Sequence, residues 1–169
     1  SGLTVPAGGN ITVAYETEVN AFAPMDAAGT ITNTAVVSGG GITPITVTET
    51  IDTESTPILT ITKSVSPVPV TENGTLTYTF LIQNAGSAPA DIGTDAVIVD
   101  TFNPLLSNLA VSFNGTAWAE TTNYTYDETT GVFTTIAGQI TVPAATYTQN
   151  PATGVWTADP GVSTLVVKG

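Results

Sequence analysis

Apolar and polar residues alternate with a period of two along almost the whole chain. Successive side chains of a β-strand point to opposite faces of a sheet, so this alternation predicts strands that each bury one face. The alternation is clearest in residues 11–15, 31–37, 45–51, 59–65, 76–82, 109–113 and 165–167. No segment has a convincing helical period. The pattern therefore predicts an all-β protein.

Turn residues separate the predicted strands. Asn73-Gly74 and Asn114-Gly115 have the dipeptide that supplies positive φ angles at hairpin turns. Gly39-Gly40-Gly41 and residues 86–89 predict further loops. Short strands punctuated in this way are typical of an immunoglobulin-like β-sandwich, which is the fold that we predict.

Residues 53–57 lack the alternation found on both sides of them, and this predicts a linker. The tetrapeptide Thr4-Val5-Pro6-Ala7 recurs at residues 141–144, which indicates an internal repeat. We therefore expect residues 1–56 to be the closing, strand-donating part of one repeat. Residues 57–169 would then be the opening strands of the next repeat and form the main β-sandwich.

Charge and composition exclude several function classes. The chain has 14 acidic and 2 basic residues, a net charge of −12, and neither Cys nor His. Such a charge repels nucleic acids and anionic lipid surfaces. Thiolate and imidazole catalysis, zinc sites of the usual kind and disulfides are also excluded. We expect no enzymatic activity and no nucleic-acid partner.

The same reasoning extends to location. No run of about twenty apolar residues occurs, and the first residues do not have the basic-then-apolar pattern of a signal peptide. We therefore expect no membrane insertion. A mature extracellular fragment fits this composition best.

Several motifs occur in a characteristic order. They are residues 62–67 (TKSVSP), Gly74, residues 76–80 (LTYTF), residues 84–86 (NAG) and residues 99–104 (VDTFNP). Together they resemble the opening half of a tandem repeat of unknown function found along bacterial and archaeal surface proteins, and residues 29–35 (GTITNTA) resemble its closing strand. The chain has Asp-Thr-Phe-Asn-Pro where such repeats often have Asp-Thr-Leu-Pro. The resemblance implies a cell-surface stalk, fibre or adhesin without catalytic activity.

Three polar residues, Lys63, Asn33 and Glu49, stand in the apolar phase of predicted strands. They are the ingredients of an autocatalytic isopeptide bond, as in pilin and collagen-adhesin domains. There a desolvated Lys amine attacks an Asn carboxamide while a carboxylic acid transfers the proton. Asp100 is an alternative acid. In the other interpretation Lys63 reaches solvent from a strand end, Asn33 bonds to the backbone in a bulge, and Glu49 lies on an edge.

Acidic residues suggest calcium as the one candidate cofactor. Asp91, Asp95 and Asp100 flank a loop that leads into a strand, and Ca²⁺ takes six to eight oxygen ligands. No segment has the spacing of an EF-hand, so a solvated acidic surface is the alternative interpretation.

The leading hypothesis is a structural module of an extracellular stalk or filament. Because the chain is cut out of phase with its repeats, we expect head-to-tail self-association in which residues 1–56 of one molecule complete the sandwich of another. The alternative is an adhesin or carbohydrate-binding module that uses aromatic residues of the 118–156 segment to bind a host or glycan ligand. The aromatic candidates are Trp118, Tyr124, Tyr126, Tyr147 and Trp156.

Overall fold

The computed structural model describes residues 2–19, 30–52 and 55–169, and its regular structure in these ranges is almost entirely β. Part of the predicted linker (residues 53–54) and the first residue of the 29–35 motif lie outside the described residues. The strands are β1 (Thr30–Gly39), β2 (Ile42–Asp52), β3 (Leu59–Ser66), β4 (Thr77–Asn84), β5 (Val99–Thr101), β6 (Ala110–Phe113), β7 (Thr116–Trp118), β8 (Tyr124–Asp127), β9 (Val132–Thr135), β10 (Thr146–Gln149), β11 (Trp156–Asp159) and β12 (Gly161–Lys168). The all-β prediction is confirmed.

The strands form two larger antiparallel sheets and two hairpins. One sheet has five strands in the order β3-β4-β12-β6-β7, and the other has three in the order β5-β9-β8. β1 pairs with β2, and β10 pairs with β11, as separate two-stranded ribbons. Ring contacts connect the two larger sheets: Phe102 lies 4.7 Å from Tyr78 and 5.8 Å from Phe133 between ring centroids. The arrangement is sandwich-like.

The hydrophobic core lies between these two sheets. Inward-facing residues of β4 and β12 are buried and alternate with half-buried or exposed ones, as the period of two predicts. The buried residues of this core cluster are Leu76, Tyr78, Phe80, Ile82, Ala90, Phe102, Leu106, Val111, Phe113, Tyr124, Phe133, Ile140, Val142, Leu165 and Val167. All of them belong to the second of the two predicted parts of the chain.

Asn84 connects the start of β3 to two loops of the sandwich. Its buried side chain accepts hydrogen bonds from the backbone N–H groups of Ile58 and Gly86, each at 2.9 Å. It donates to the carbonyls of Ala88 at 2.7 Å and Pro143 at 3.0 Å. Backbone groups therefore satisfy both the carbonyl oxygen and the NH₂ group of this buried amide.

The predicted turns have different outcomes. Asn114 and Gly115 have φ angles of 47° and 80° and join β6 to β7, so this hairpin prediction is confirmed. Asn73 has a φ of 55°, but it lies in the longer connection between β3 and β4 and does not close a hairpin. Gly39, Gly40 and Gly41 all have positive φ at the end of the β1–β2 ribbon, as predicted.

The prediction of a strand at residues 11–15 is wrong. Residues 2–19 contain a turn at Ala7–Gly8 but no strand. A strand exists only where another strand supplies its ladder of backbone hydrogen bonds, and residues 11–15 pair with no strand among the described residues.

Candidate functional site

The inward face of β3 is only partly covered. Ile61 and Val65 lie opposite the buried Ile82 and Tyr78 of β4, so their side chains share the core face of the five-stranded sheet. Yet Ile61 is 50% and Val65 is 40% exposed. The sandwich is open along this edge strand.

A groove of about 150 Å³ lies between β3 and the segment that leads into β5. Its walls are apolar except for Thr60. The lining residues are Leu59, Thr60, Ile61, Ile82, Ala96, Val97, Ile98 and Ile140. We call the free edges of β3 and β5, with this groove between them, the open edge.

The backbone of β5 pairs with a strand on one side only, and on its other side Thr101 N–H bonds to the Asp100 side chain at 3.0 Å. Phe102 N–H donates to the Gly131 carbonyl, and the Ile98 carbonyl accepts from Thr135 N–H. The backbone groups of these two residues, which flank β5, therefore point toward β9. Because backbone groups alternate in direction along a strand, the N–H and C=O of Val99 point away from β9. Val99 is also 65% exposed. β5 can therefore accept one more strand.

A single ion pair stands in the open edge. The Lys63 ammonium bonds to the Asp100 carboxylate, with side-chain exposures of 39% and 19%. The Lys63 nitrogen also lies 4.8 Å from the ring centroid of Tyr78, 5.3 Å from that of Phe102 and 5.6 Å from that of Phe80. Aromatic faces attract cations, so these rings and the carboxylate together hold the ammonium in place. Lys63 has the predicted orientation toward the core face.

The β1–β2 ribbon, which we call the hairpin, has one apolar and one hydroxyl-bearing face. On the hydroxyl face Thr34 and Thr48 lie opposite each other, with their oxygens 3.2 Å apart. The cross-strand pairs of the other face are Ile31–Ile51, Asn33–Glu49, Ala35–Val47 and Val37–Ile45. Val37, Ile45, Val47 and Ile51 are each more than half exposed.

Asn33 and Glu49 are cross-strand neighbours in the middle of the apolar face. The Asn33 amide donates to the Tyr15 hydroxyl at 2.8 Å. The structure therefore assembles the isopeptide candidates into two separate pairs, Asn33 with Glu49 and Lys63 with Asp100. The alternative interpretation, which placed Asn33 in a bulge, is wrong, since the irregularity in β1 lies between Val37 and Gly39.

The calcium candidates are used in other ways. Asp91 begins a short 3-10 helix (Ile92–Thr94) and accepts from Gly93 N–H at 3.0 Å, Asp95 ends that helix with a φ of 50°, and Asp100 pairs with Lys63. Within residues 2–19, 30–52 and 55–169, no three acidic side chains are grouped so that they could hold a metal ion. Asp91, Asp95 and Asp100 are therefore not assembled into one ligand set.

The aromatic candidates do not form a single surface. Tyr124 is buried against Phe133, with ring centroids 5.2 Å apart, and Trp118 stacks on Phe113 at 4.9 Å. The Tyr126 hydroxyl bonds to the backbone of Leu106. Tyr147 and Trp156 lie on the β10–β11 ribbon. Trp118, Tyr124 and Tyr126 thus contribute to packing, and the Tyr147 hydroxyl donates to the Ala85 carbonyl at 3.0 Å.

A larger cavity of about 830 Å³ lies at the end of the sandwich, between the β3–β4 connection and residues 104–110. Glu72 and Lys168 are its charged lining residues.

Comparison with family models, with curated proteins and with solved structures finds no match to this chain. Among the described residues, no helix is long and apolar enough to cross a membrane.

Proposed function

We propose that the protein is a non-enzymatic structural module of an extracellular surface stalk or filament, and that its subunits join head to tail by strand complementation. One observation carries the proposal. The same chain has an exposed apolar hairpin face and an open sandwich edge. The hairpin supplies strands and apolar side chains, and the open edge has an unpaired strand and exposed apolar side chains that these can cover.

The exposure of these surfaces argues for assembly. A soluble monomer rarely leaves a contiguous apolar surface and an unpaired strand edge uncovered, because both promote association. The hairpin exposes Val37, Ile45, Val47 and Ile51 on one face, and the open edge exposes Ile61 and Val65. Burial of apolar surface contributes about 25 cal/mol per Å², and this contribution favours the junction of the two surfaces.

The contact is heterologous, because the hairpin of one molecule occupies the open edge of another. Where the rotation between subunits does not close a ring, such contacts leave one hairpin and one open edge free at the two ends of the assembly and propagate into a fibre. The resemblance to tandem surface-protein repeats supports placing this fibre at the cell surface. The strongly acidic composition, with 14 acidic and 2 basic residues, fits a role without nucleic acid.

Size-exclusion chromatography with light scattering, run at several protein concentrations, tests the proposal. We expect the average mass of the wild-type protein to rise with concentration. Val47→Lys places a charge on the apolar hairpin face and should leave the protein monomeric. Thr48→Lys places the same charge on the opposite face and should assemble like wild type. A monomeric wild-type protein at every concentration would contradict the proposal.

A further inference from the structure

The two sheets of the sandwich are unequal, and the difference is two strands. Five strands lie on one side and three on the other, and the free side of β5 is where the smaller sheet can grow. The hairpin has two strands and one apolar face. We propose, building on the function proposed above, that the hairpin of a second copy adds to β5, with β1 next to β5 and above β3, and with β2 beyond β1.

Contacts in the open edge fix the direction of the added strands. Leu59 and Ile61 line the groove with residues 96–98, and further along both segments Lys63 meets Asp100. β3 and β5 therefore run in the same direction. An incoming β1 that pairs antiparallel with β5, as the strands of both sheets do, brings β2 parallel to β3.

Polar pairs fix the register. The apolar hairpin face is interrupted by Asn33–Glu49, and the open edge is interrupted by Lys63–Asp100. When Asn33 lies opposite Asp100, the amide N–H that is not bonded to Tyr15 can donate to that carboxylate, and the Asn33–Glu49 pair lies next to Lys63. In this register Ile31, Ala35 and Val37 lie over Val65, Ile61 and Leu59. A shift by two residues would bury the Glu49 carboxylate against apolar side chains, which is costly.

The hairpin of the same chain cannot occupy this position. Residues 55–58 are fixed to the loop after β4, since Ser55 bonds to Ser87 at 2.7 Å and Ile58 accepts from Ala85 N–H at 2.9 Å. The three peptide units from Asp52 to Ser55 reach at most about 11 Å. In the proposed register Asp52 lies beyond Val65, which is six residues, or about 20 Å, along β3 from Leu59. A second copy has no such restriction.

The opposite orientation of the hairpin would allow self-completion, but its charges disfavour it. With β2 next to β5 and the polar pairs aligned, Glu49 would lie directly opposite Asp100. Like charges at directly opposite positions of neighbouring strands are destabilising. The charges therefore favour β1 as the strand that pairs with β5.

Single-cysteine variants of the full chain test this inference, because the chain has no native cysteine. With Asn33 opposite Asp100, Thr34 of β1 lies opposite Val99 of β5, and both side chains point away from the core. We expect a mixture of Thr34→Cys and Val99→Cys proteins to form an intermolecular disulfide under mild oxidation, identified by peptide mapping. Thr48→Cys, the cross-strand partner of Thr34 on the same hairpin face, lies one strand further away and should not react with Val99→Cys.

The outcomes separate this inference from the proposed function. A disulfide between Thr48→Cys and Val99→Cys would place β2 on β5 and overturn the inference. If neither mixture reacts while the wild-type protein still assembles by light scattering, the site or register is wrong and the assembly stands. If the wild-type protein is monomeric and neither mixture reacts, both are wrong.

Discussion

The Lys63 ammonium pairs with the Asp100 carboxylate across the open edge. This ion pair connects β3 and β5, which are edge strands of the two different sheets. Lys63 lies in the inward phase of β3, directly opposite the buried Phe80 of β4. A charged pair thus occupies a position where a closed sandwich would have apolar side chains. We interpret it as part of a junction that a second molecule completes.

Replacing Lys63 should weaken assembly far more than folding. An ion pair this exposed contributes about 1 kcal/mol or less to stability, so Lys63→Met should change the free energy of unfolding of the dilute monomer by no more than that. At the junction, the substitution removes the ammonium group near Glu49 of the second molecule. We therefore expect the concentration needed for assembly to rise about tenfold or more. Lys168→Met removes the other basic residue of the chain and is the control. Equal effects of the two variants on assembly would contradict the role of Lys63.

Asn84 should be among the most sensitive positions for folding. Asn84→Ala removes hydrogen bonds to the backbone of four residues in and around the loops at the start of β3. A buried polar group left without a partner costs about 1–3 kcal/mol, so we expect a loss of about 3 kcal/mol or more in the free energy of unfolding. Asn33→Ala, on the exposed hairpin, should change it by about 0.5 kcal/mol or less. Chemical denaturation of both variants at low protein concentration provides the measurement.

Asp127 should remain ionised to unusually low pH. Hydrogen bonds from the side chain and backbone of Thr129, and then from the side chain and backbone of Thr130, lower the pKa of its carboxyl from 3.8 to about 2. A lowered pKa in the folded state means that the carboxylate stabilises the fold above pH 3.8, and that this contribution is lost as the pH falls toward 2. Carboxyl NMR titration should show this pKa in the wild type, and Thr129→Val should raise it toward 3.8. An unshifted wild-type value would contradict the hydrogen-bonded turn.

The freshly purified monomer should have the full mass of its sequence. Isopeptide chemistry requires a desolvated amine, whereas Lys63 is 39% exposed and its partner is Asp100, not Asn33. Intact mass spectrometry checks this, with Lys63→Ala as the reference. A monomer lighter by one ammonia, or by one water for a bond to Asp100, would show that the bond forms within one chain. A covalent bond between Lys63 and Asn33 of different copies remains a prediction for the assembled state.

Local patterns predicted much of this fold because the cause of the pattern is local. The alternation of residues 31–37, 45–51 and 59–65 appears as β1, β2 and β3, and the phase of Lys63 correctly gave its face. The same alternation at residues 11–15 has no strand, because pairing depends on a partner edge that the segment itself does not specify.

The candidate site was less predictable, since its parts are distant in sequence. Asp100 was an alternative acid in the sequence analysis, and its contact with Lys63, 37 residues away, depends on how β3 and β5 face each other. Likewise Asn84 bonds to Ile58 and Pro143, which are 26 and 59 residues away. The unequal strand numbers of the two sheets have no local signature at all. Once the sheets are known, the exposure of the inward-facing residues of β3 reveals the open edge.

A mixing experiment with two complementary defective proteins tests the central claim of head-to-tail assembly most directly. Val47→Lys impairs the hairpin and leaves the open edge intact, whereas Val99→Pro removes the outward N–H of β5 and leaves the hairpin intact. Val99→Thr keeps that N–H and should assemble like wild type.

Light scattering of the two defective proteins, separately and as an equimolar mixture, is the measurement. We predict that each is monomeric alone and that the mixture forms a dimer of one copy of each and nothing larger, because one working hairpin and one working open edge are each used once. A mixture that stays monomeric, or either defective protein forming polymers alone, would contradict the account.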